Sequence, residues 1–315
     1  MVIDIHAHYH PRAYMDAVSR AMGFEIKPFV PHPDTDDPGH IETRLREMDE
    51  AGVTLQVLSP AAGRAPYGKD EATSLAAARL CNDLTSEFTT RYPDRFKAFV
   101  TLPLPHIQAS LKELERAMAL PGMIGLNLHI SAQDRSVAED DFLPIYEEMN
   151  RRKGLIFYHP CGNGICSPMI TEWGLGGAMG TSLEDAAIVA HLIRKQIPAR
   201  CPGITFVVPH LGGPIAMLLD RLNNQYSMKT LGLPEPPKDT ARRFYYDTVG
   251  HASHAALTCA VLAYGADHVL VGSDYPVLHS WEAYDRTINW PRDVDLPEGA
   301  VEQIMEKTAA TVLNM

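Results

Sequence analysis

Ile3-Asp4-Ile5-His6-Ala7-His8 places two histidines two residues apart at the end of a short apolar run. In a β-strand the side chains at i and i+2 leave the same face. Both imidazoles would then project in one direction, as a shared metal ion requires. Taken alone, the pair reads equally well as two surface histidines near an N-terminus. Three later segments alter that balance: Phe157-Tyr158-His159-Pro160, Val208-Pro209-His210-Leu211-Gly212-Gly213 and Val271-Gly272-Ser273-Asp274-Tyr275-Pro276. Each is an apolar stretch that ends in an ionisable side chain. His159 alone could be a hydrogen-bonded core histidine, and Asp274 alone a helix N-cap. Together with His6 and His8 they form a set of three imidazoles and one carboxylate. That donor set suits one divalent ion, Zn²⁺ first, with Mn²⁺, Fe²⁺ or Co²⁺ as alternatives. Such an ion lowers the pKa of its water and polarises substrate oxygens. His210, one strand over, is better cast as a general acid or base than as a ligand. Asp274 can serve both as ligand and as proton carrier.

These residues act together only if several strand ends meet. Strand-like runs are expected at Val2–His6, Val53–Ser59, Phe96–Leu102, Met123–His129, Leu155–His159, Ile204–Pro209, Tyr245–Val249 and His268–Gly272. Helical stretches separate most of them: Ile41–Ala51, Glu71–Arg91, Gln108–Leu120, Phe142–Arg152 and Leu183–Ile197. Several strands are near-continuous Val/Ile/Leu/Phe runs, as a parallel sheet covered on both faces demands. The expectation is an α/β fold, a (β/α)₈ TIM barrel forming one domain over 1–315, with its site at the C-terminal face of the strands. Gly23–Gly39, rich in Pro and Asp, reads as an inserted active-site loop or lid after the first strand.

The 315 residues are 45% hydrophobic and 21% charged, in keeping with a globular enzyme. A formal net charge of −11 disfavours nucleic acid and anionic membranes as partners, without excluding a small anionic substrate. No apolar run approaches a membrane span and no leader pattern opens the chain, so a cytoplasmic location is expected. The five cysteines are scattered, and Cys161 and Cys166 lack the Cys-x-x-Cys spacing of a metal site.

His6-x-His8, Tyr158-His159-Pro160, His210-Leu-Gly-Gly213 and Gly272-Ser-Asp274-Tyr-Pro276 resemble the signature of the amidohydrolase superfamily. More closely, they resemble its amidohydrolase-2 branch, which contains aminocarboxymuconate-semialdehyde decarboxylase. Arg44-Leu-Arg-Glu-Met-Asp-Glu-Ala-Gly-Val53 and Arg243-Phe-Tyr-Tyr-Asp-Thr248 extend the likeness over nearly the whole chain. The resemblance implies that His6, His8, His159 and Asp274 bind zinc and that His210 is the catalytic histidine. Strand four, Ile124-Gly-Leu-Asn-Leu-His129, lacks the lysine of two-metal members, which implies a single ion. It further implies that Arg221, eleven residues after His210, binds a substrate carboxylate in a neighbouring subunit, so that the enzyme is a homodimer or homotetramer. As a plain residue, Arg221 is a helix-surface arginine. The family's second substrate arginine has no clear counterpart, Arg12 and Lys27 being the nearby cations, so the substrate is expected to differ from aminocarboxymuconate semialdehyde. His129, His251 and His254 are candidates to line the pocket. Trp173 could stack on a planar ring.

Two activities fit these groups. One is metal-dependent, non-oxidative decarboxylation of an aromatic or unsaturated carboxylic acid. The other is a hydrolase or hydratase acting on an amide, lactone or enol-acid through water activated on the metal. A catalytically silent metal-binding barrel is disfavoured, because nothing structural requires all five polar groups together.

Overall fold

The computed structural model describes residues 1–26, 35–61, 69–225 and 232–315. Apolar runs become eight strands of one sheet: β1 Val2–His8, β2 Val53–Ser59, β3 Phe96–Val100, β4 Met123–His129, β5 Leu155–His159, β6 Thr205–Val208, β7 Phe244–Asp247 and β8 Val269–Leu270. They pair in parallel in chain order, β1 to β8. The sheet then returns on itself. Ile5 N donates to Val271 O at 3.0 Å, His8 N donates to Tyr275 O at 2.7 Å, and Ala7 bridges Tyr275. The result is the expected (β/α)₈ barrel.

Helices α1 Arg12–Met22, α2 Pro38–Glu50, α3 Glu71–Arg91, α4 Ile107–Ala117, α5 Leu143–Arg152, α6 Thr181–Arg194, α7 Ile215–Gln225 and α8 His254–Tyr264 cover the outside, with shorter turns closing the remainder. Helix α4 shows why they dock: Ala109, Ser110, Glu113, Leu114 and Ala117 recur at helical spacing and are buried. The large apolar layer lies between strands and helices. A second cluster fills the barrel itself, where Ile3, Ile5, Leu55, Val57, Phe99, Phe157, Val207 and Leu270 pack over Ala309 and Val312 of the C-terminal helix.

Several boundaries differ from the sequence expectation for identifiable reasons. Strand β1 runs on to His8 because Ala7 and His8 continue the ladder with β2. Strand β7 ends at Asp247, whose Oδ1 accepts from Val249 N at 3.0 Å and turns the chain. Strand β8 is two residues long because the Thr248 hydroxyl takes Gly272 N–H at 3.2 Å in place of a ladder bond. Helix α1 was not anticipated. Helix α2 starts at Pro38, capped by Asp37 accepting from Gly39 N at 2.9 Å, so the proposed Gly23–Gly39 loop is shorter than expected. Residues 27–34 of that loop, Lys27 included, lie outside the described residues. A small hairpin, Ser131–Ala132 with Arg135–Ser136, follows β4. No helix among the described residues is long and apolar enough to cross a membrane.

Candidate active site

His6, His8, His159 and Asp274 are buried, and one ligand atom from each lies within 4.8 Å of the others. A register shift between Asp4 and Ala7 in β1 helps to make this convergence. Ile5 stays in the barrel core, while the next side chain, His6, also turns inward and lies 4.9 Å from the Phe157 ring. At the other end, Ser273 is pinned to the buried Asp4 carboxylate through N–H at 3.0 Å and Oγ at 2.6 Å. Asp274 follows in a left-handed conformation, φ 56°, with its N–H on His6 O at 2.8 Å. Gly272 allows this approach. A Cβ there would sit 2.8 Å from Asp247 Cβ and 3.0 Å from His6 Cβ.

Each ligand imidazole is held at Nδ1. His6 donates to Asp247 Oδ2 at 2.7 Å, His8 to Ser59 O at 3.2 Å and His159 to Pro160 O at 2.8 Å. The Nε2 atoms are thereby turned towards one another: His8 Nε2 is 2.7 Å from Asp274 Oδ1 and 3.3 Å from His159 Nε2. His6 Nε2 is buried with no well-aligned hydrogen bond, Asp274 Oδ1 lying 3.3 Å from it. An orphaned ring nitrogen facing two further imidazole nitrogens and a carboxylate is the donor set of a single divalent cation.

The electrostatics fit the same occupant. Burial lowers the His8 and His159 pKa values, which favours the neutral imidazoles that can ligate. Burial also disfavours a charge on His6, but Asp247 and Asp274 outweigh it and raise that pKa to about 9. Asp274 would be pushed up by burial, yet its histidine neighbours hold it well below the usual carboxylate range. A cation held there would take the place of the Nε2 proton that faces Asp274, while the Nδ1 proton stays on Asp247.

His210 stands beside this cluster. The tight His210–Gly213 turn has positive φ at His210, Leu211, Gly212 and Gly213. A Cβ at Gly213 would lie 2.0 Å from Ser182 O, so only glycine lets the turn pack on α6. His210 Nδ1 donates to the buried Asp185 Oδ2 at 2.8 Å, and its Nε2 is 3.9 Å from Asp274 Oδ2. Burial opposes an imidazolium here, but the charges of Asp185 and Asp274 prevail and lift its pKa well above the ordinary value. Asp247 joins the two halves: besides holding His6, its Oδ1 accepts from His210 N at 2.8 Å.

Of the other candidates, His129 is buried with its ring 5.5 Å from His159, and burial pulls its pKa down to about 4. The rest are not drawn into the cluster. His251 is exposed and pairs with Glu282 at 3.2 Å, and His254 is exposed with its ring 6.4 Å from Trp290. Trp173 is 78% exposed, Arg221 lies exposed on α7, and Arg12 pairs with Asp37 at 3.0 Å. Asp185 stands in none of the sequence motifs, while Arg44, Asn127 and Asp247 stand in motifs that assign them no role. Arg44 is buried on α2, donates to His8 O and lies 4.5 Å over the Tyr275 ring. Asn127 is in register with Phe157 on β5, and both atoms of its buried amide lack hydrogen-bond partners. Asp247 had a signal, the polar end of Phe244-Tyr-Tyr-Asp247. Asp185 had only its place beside Glu184 near the start of the helix expected over Leu183–Ile197.

Comparison with known proteins gives a consistent picture. The family model described as "Amidohydrolase" matches residues 3–315. A 6-methylsalicylic acid decarboxylase of Penicillium expansum is 28% identical over 312 residues, covering 96% of this chain and 93% of that protein. A gamma-resorcylate decarboxylase of Polaromonas sp. is 24% identical, covering 84% of each chain. The crystal structure of a dihydroxybenzoic acid decarboxylase from Polaromonas sp., with bound manganese and 2-nitroresorcinol, superposes with a TM-score of 0.82 at 22% identity, covering 99% of this chain and 96% of that one.

Proposed function

We propose, because the chain belongs to the amidohydrolase family, that it is a divalent-metal-dependent, non-oxidative decarboxylase of small aromatic carboxylic acids. The observation that carries this reading is the pairing of two units: a buried four-ligand cluster and, 3.9 Å from its carboxylate, the His210–Asp185 pair. The relatives named for 6-methylsalicylic and gamma-resorcylic acid support the substrate class, a benzoic acid with a hydroxyl beside the carboxylate.

His6, His8, His159 and Asp274 would hold the ion, which supplies a Lewis acid to anchor and polarise the oxygens of the acid. His210 is the proton donor. Asp185 fixes its Nδ1–H and favours the imidazolium, leaving Nε2–H to be delivered to the ring carbon that bears the carboxylate. The carbon–carbon bond then breaks, its electron pair restores the aromatic ring, and CO₂ departs. The proton replaces CO₂, so no oxidant is needed, and His210 is reprotonated from solvent. Asp274, the other candidate proton carrier, is kept ionised by its neighbours and serves as ligand. Neutral His129, beside His159, would wall the site, while His251, in the loop after β7, and Trp173, in the loop after β5, would meet an incoming ring from the exposed side. Arg221, exposed on α7, would reach a substrate carboxylate across a subunit boundary, giving a homodimer or homotetramer. Three nitrogens and one oxygen favour Zn²⁺; the manganese of the Polaromonas neighbour makes Mn²⁺ the alternative, which metal analysis of purified protein decides.

Turnover of a panel of hydroxybenzoic acids in D₂O tests the reaction. The expected product carries one deuterium at the carbon that lost CO₂, with CO₂ released in equal amount. Labelled solvent oxygen in a ring-opened product would instead establish hydration or hydrolysis.

A further inference from the structure

Glu184 lies next to Asp185 in the first turn of α6 and is fully buried. Its two carboxylate oxygens are occupied by main-chain donors from the loop after β5. Oε2 accepts from Cys161 N at 2.5 Å and Gly162 N at 3.0 Å, and Oε1 from Gly164 N at 2.7 Å. Cys161 N–H belongs to the same peptide unit as Pro160 C=O, and that carbonyl accepts from His159 Nδ1 at 2.8 Å. A carboxylate, a peptide group and a ligand imidazole thus form one hydrogen-bonded chain. Its donors all point towards the carboxylate, so each bond polarises the next.

We propose that Glu184 is a positioning residue for His159, acting through the Pro160–Cys161 peptide as Asp247 acts on His6 by direct contact. The negative charge on Glu184 strengthens the Pro160 carbonyl as an acceptor. That carbonyl fixes the His159 tautomer, leaves Nε2 as the ligand atom and raises its basicity. The same carboxylate holds the loop in shape, with Gly162 at φ 75° and Gly164 at φ 59°. Adjacent carboxylates on one helix turn therefore divide the work: Glu184 serves the ligand cluster and Asp185 the proton donor.

The proposal rests on the metal reading of the site, and a test without turnover keeps the two apart. Co²⁺ is titrated into metal-stripped protein and its visible absorption followed, with thermal unfolding of the stripped proteins measured alongside. Glu184→Gln keeps the shape but must turn an NH₂ towards at least one N–H donor. It is expected to weaken Co²⁺ binding about tenfold and to alter the absorption envelope. Glu113→Gln is the control, since that buried carboxylate pairs with Arg79 and Arg116 in the outer layer. It should lower the unfolding midpoint and leave the Co²⁺ affinity unchanged. Equal Co²⁺ affinity and spectrum in wild type and Glu184→Gln would overturn this proposal alone. Failure of wild type to bind Co²⁺ would overturn the metal reading and this proposal with it.

Discussion

Asp185→Asn is the most discriminating change available in the acid–base pair. It conserves volume at a fully buried position and removes only the charge facing His210 Nδ1 at 2.8 Å. The asparagine oxygen can still accept from Nδ1–H, so ring orientation is largely kept while the imidazolium loses its counter-charge. A well-placed general acid contributes roughly 10²- to 10⁴-fold to rate. Losing the lower part of that range corresponds to about 2.7 kcal/mol of barrier, at 1.36 kcal/mol per decade. The expected kcat loss is therefore about 100-fold, with metal content unchanged because neither partner is a ligand. The pH profile gives the sign. The His210 pKa is raised in the folded protein, so the donor is present at low pH and lost as pH rises through that value. Removing Asp185 lowers it, and the alkaline limb of kcat should move to lower pH. Asp185→Ala, which removes orientation as well, should be slower still. A kcat within about threefold of wild type and an unmoved alkaline limb would refute the assignment of His210 as proton donor.

Other substitutions address other parts of the site. Asp247→Asn should weaken divalent-metal affinity by about 10- to 100-fold, read by competition with a chromophoric chelator. Gly272→Ala forces a methyl against Asp247 and His6, and should cost about 1–3 kcal/mol in denaturant unfolding together with metal binding. Arg44→Lys loses the planar contact over Tyr275 and weakens the hold on His8 O. It should cost about 1–3 kcal/mol of stability, with a smaller effect on kcat than Asp185→Asn.

The strands were legible because a parallel barrel buries both faces of each one, leaving long apolar runs with Gly, Pro or Asp at their ends. The ligands were legible because they sit where those runs stop. What was hidden depended on contacts between distant segments. Asp247 reads as the last polar residue of a strand, and only its closeness to both His6 and His210 N gives it meaning. Glu184 looks like the acidic first turn of any helix, and Asp185 like the residue that follows it. The register shift in β1 left no mark, since Ile5-His6-Ala7-His8 looks like plain alternation even where two neighbouring side chains turn inward. Arg221 shows the converse: its offset from His210 is visible in sequence, but one chain leaves it on an exposed helix.

The cluster also straddles the seam of the barrel. His8 and Asp274, 266 residues apart, touch at 2.7 Å where the first strand meets the last. During synthesis the N-terminal histidines emerge first and wait for nearly the whole chain before their carboxylate partner exists. Any stalled or truncated product that ends before Ser273 lacks both Asp274 and the main-chain bonds that close the cylinder. Four-ligand capture of an ion would then require the final βα unit to have docked. A shortened chain would keep the three histidines but lack the carboxylate and the seam bonds that hold them in place.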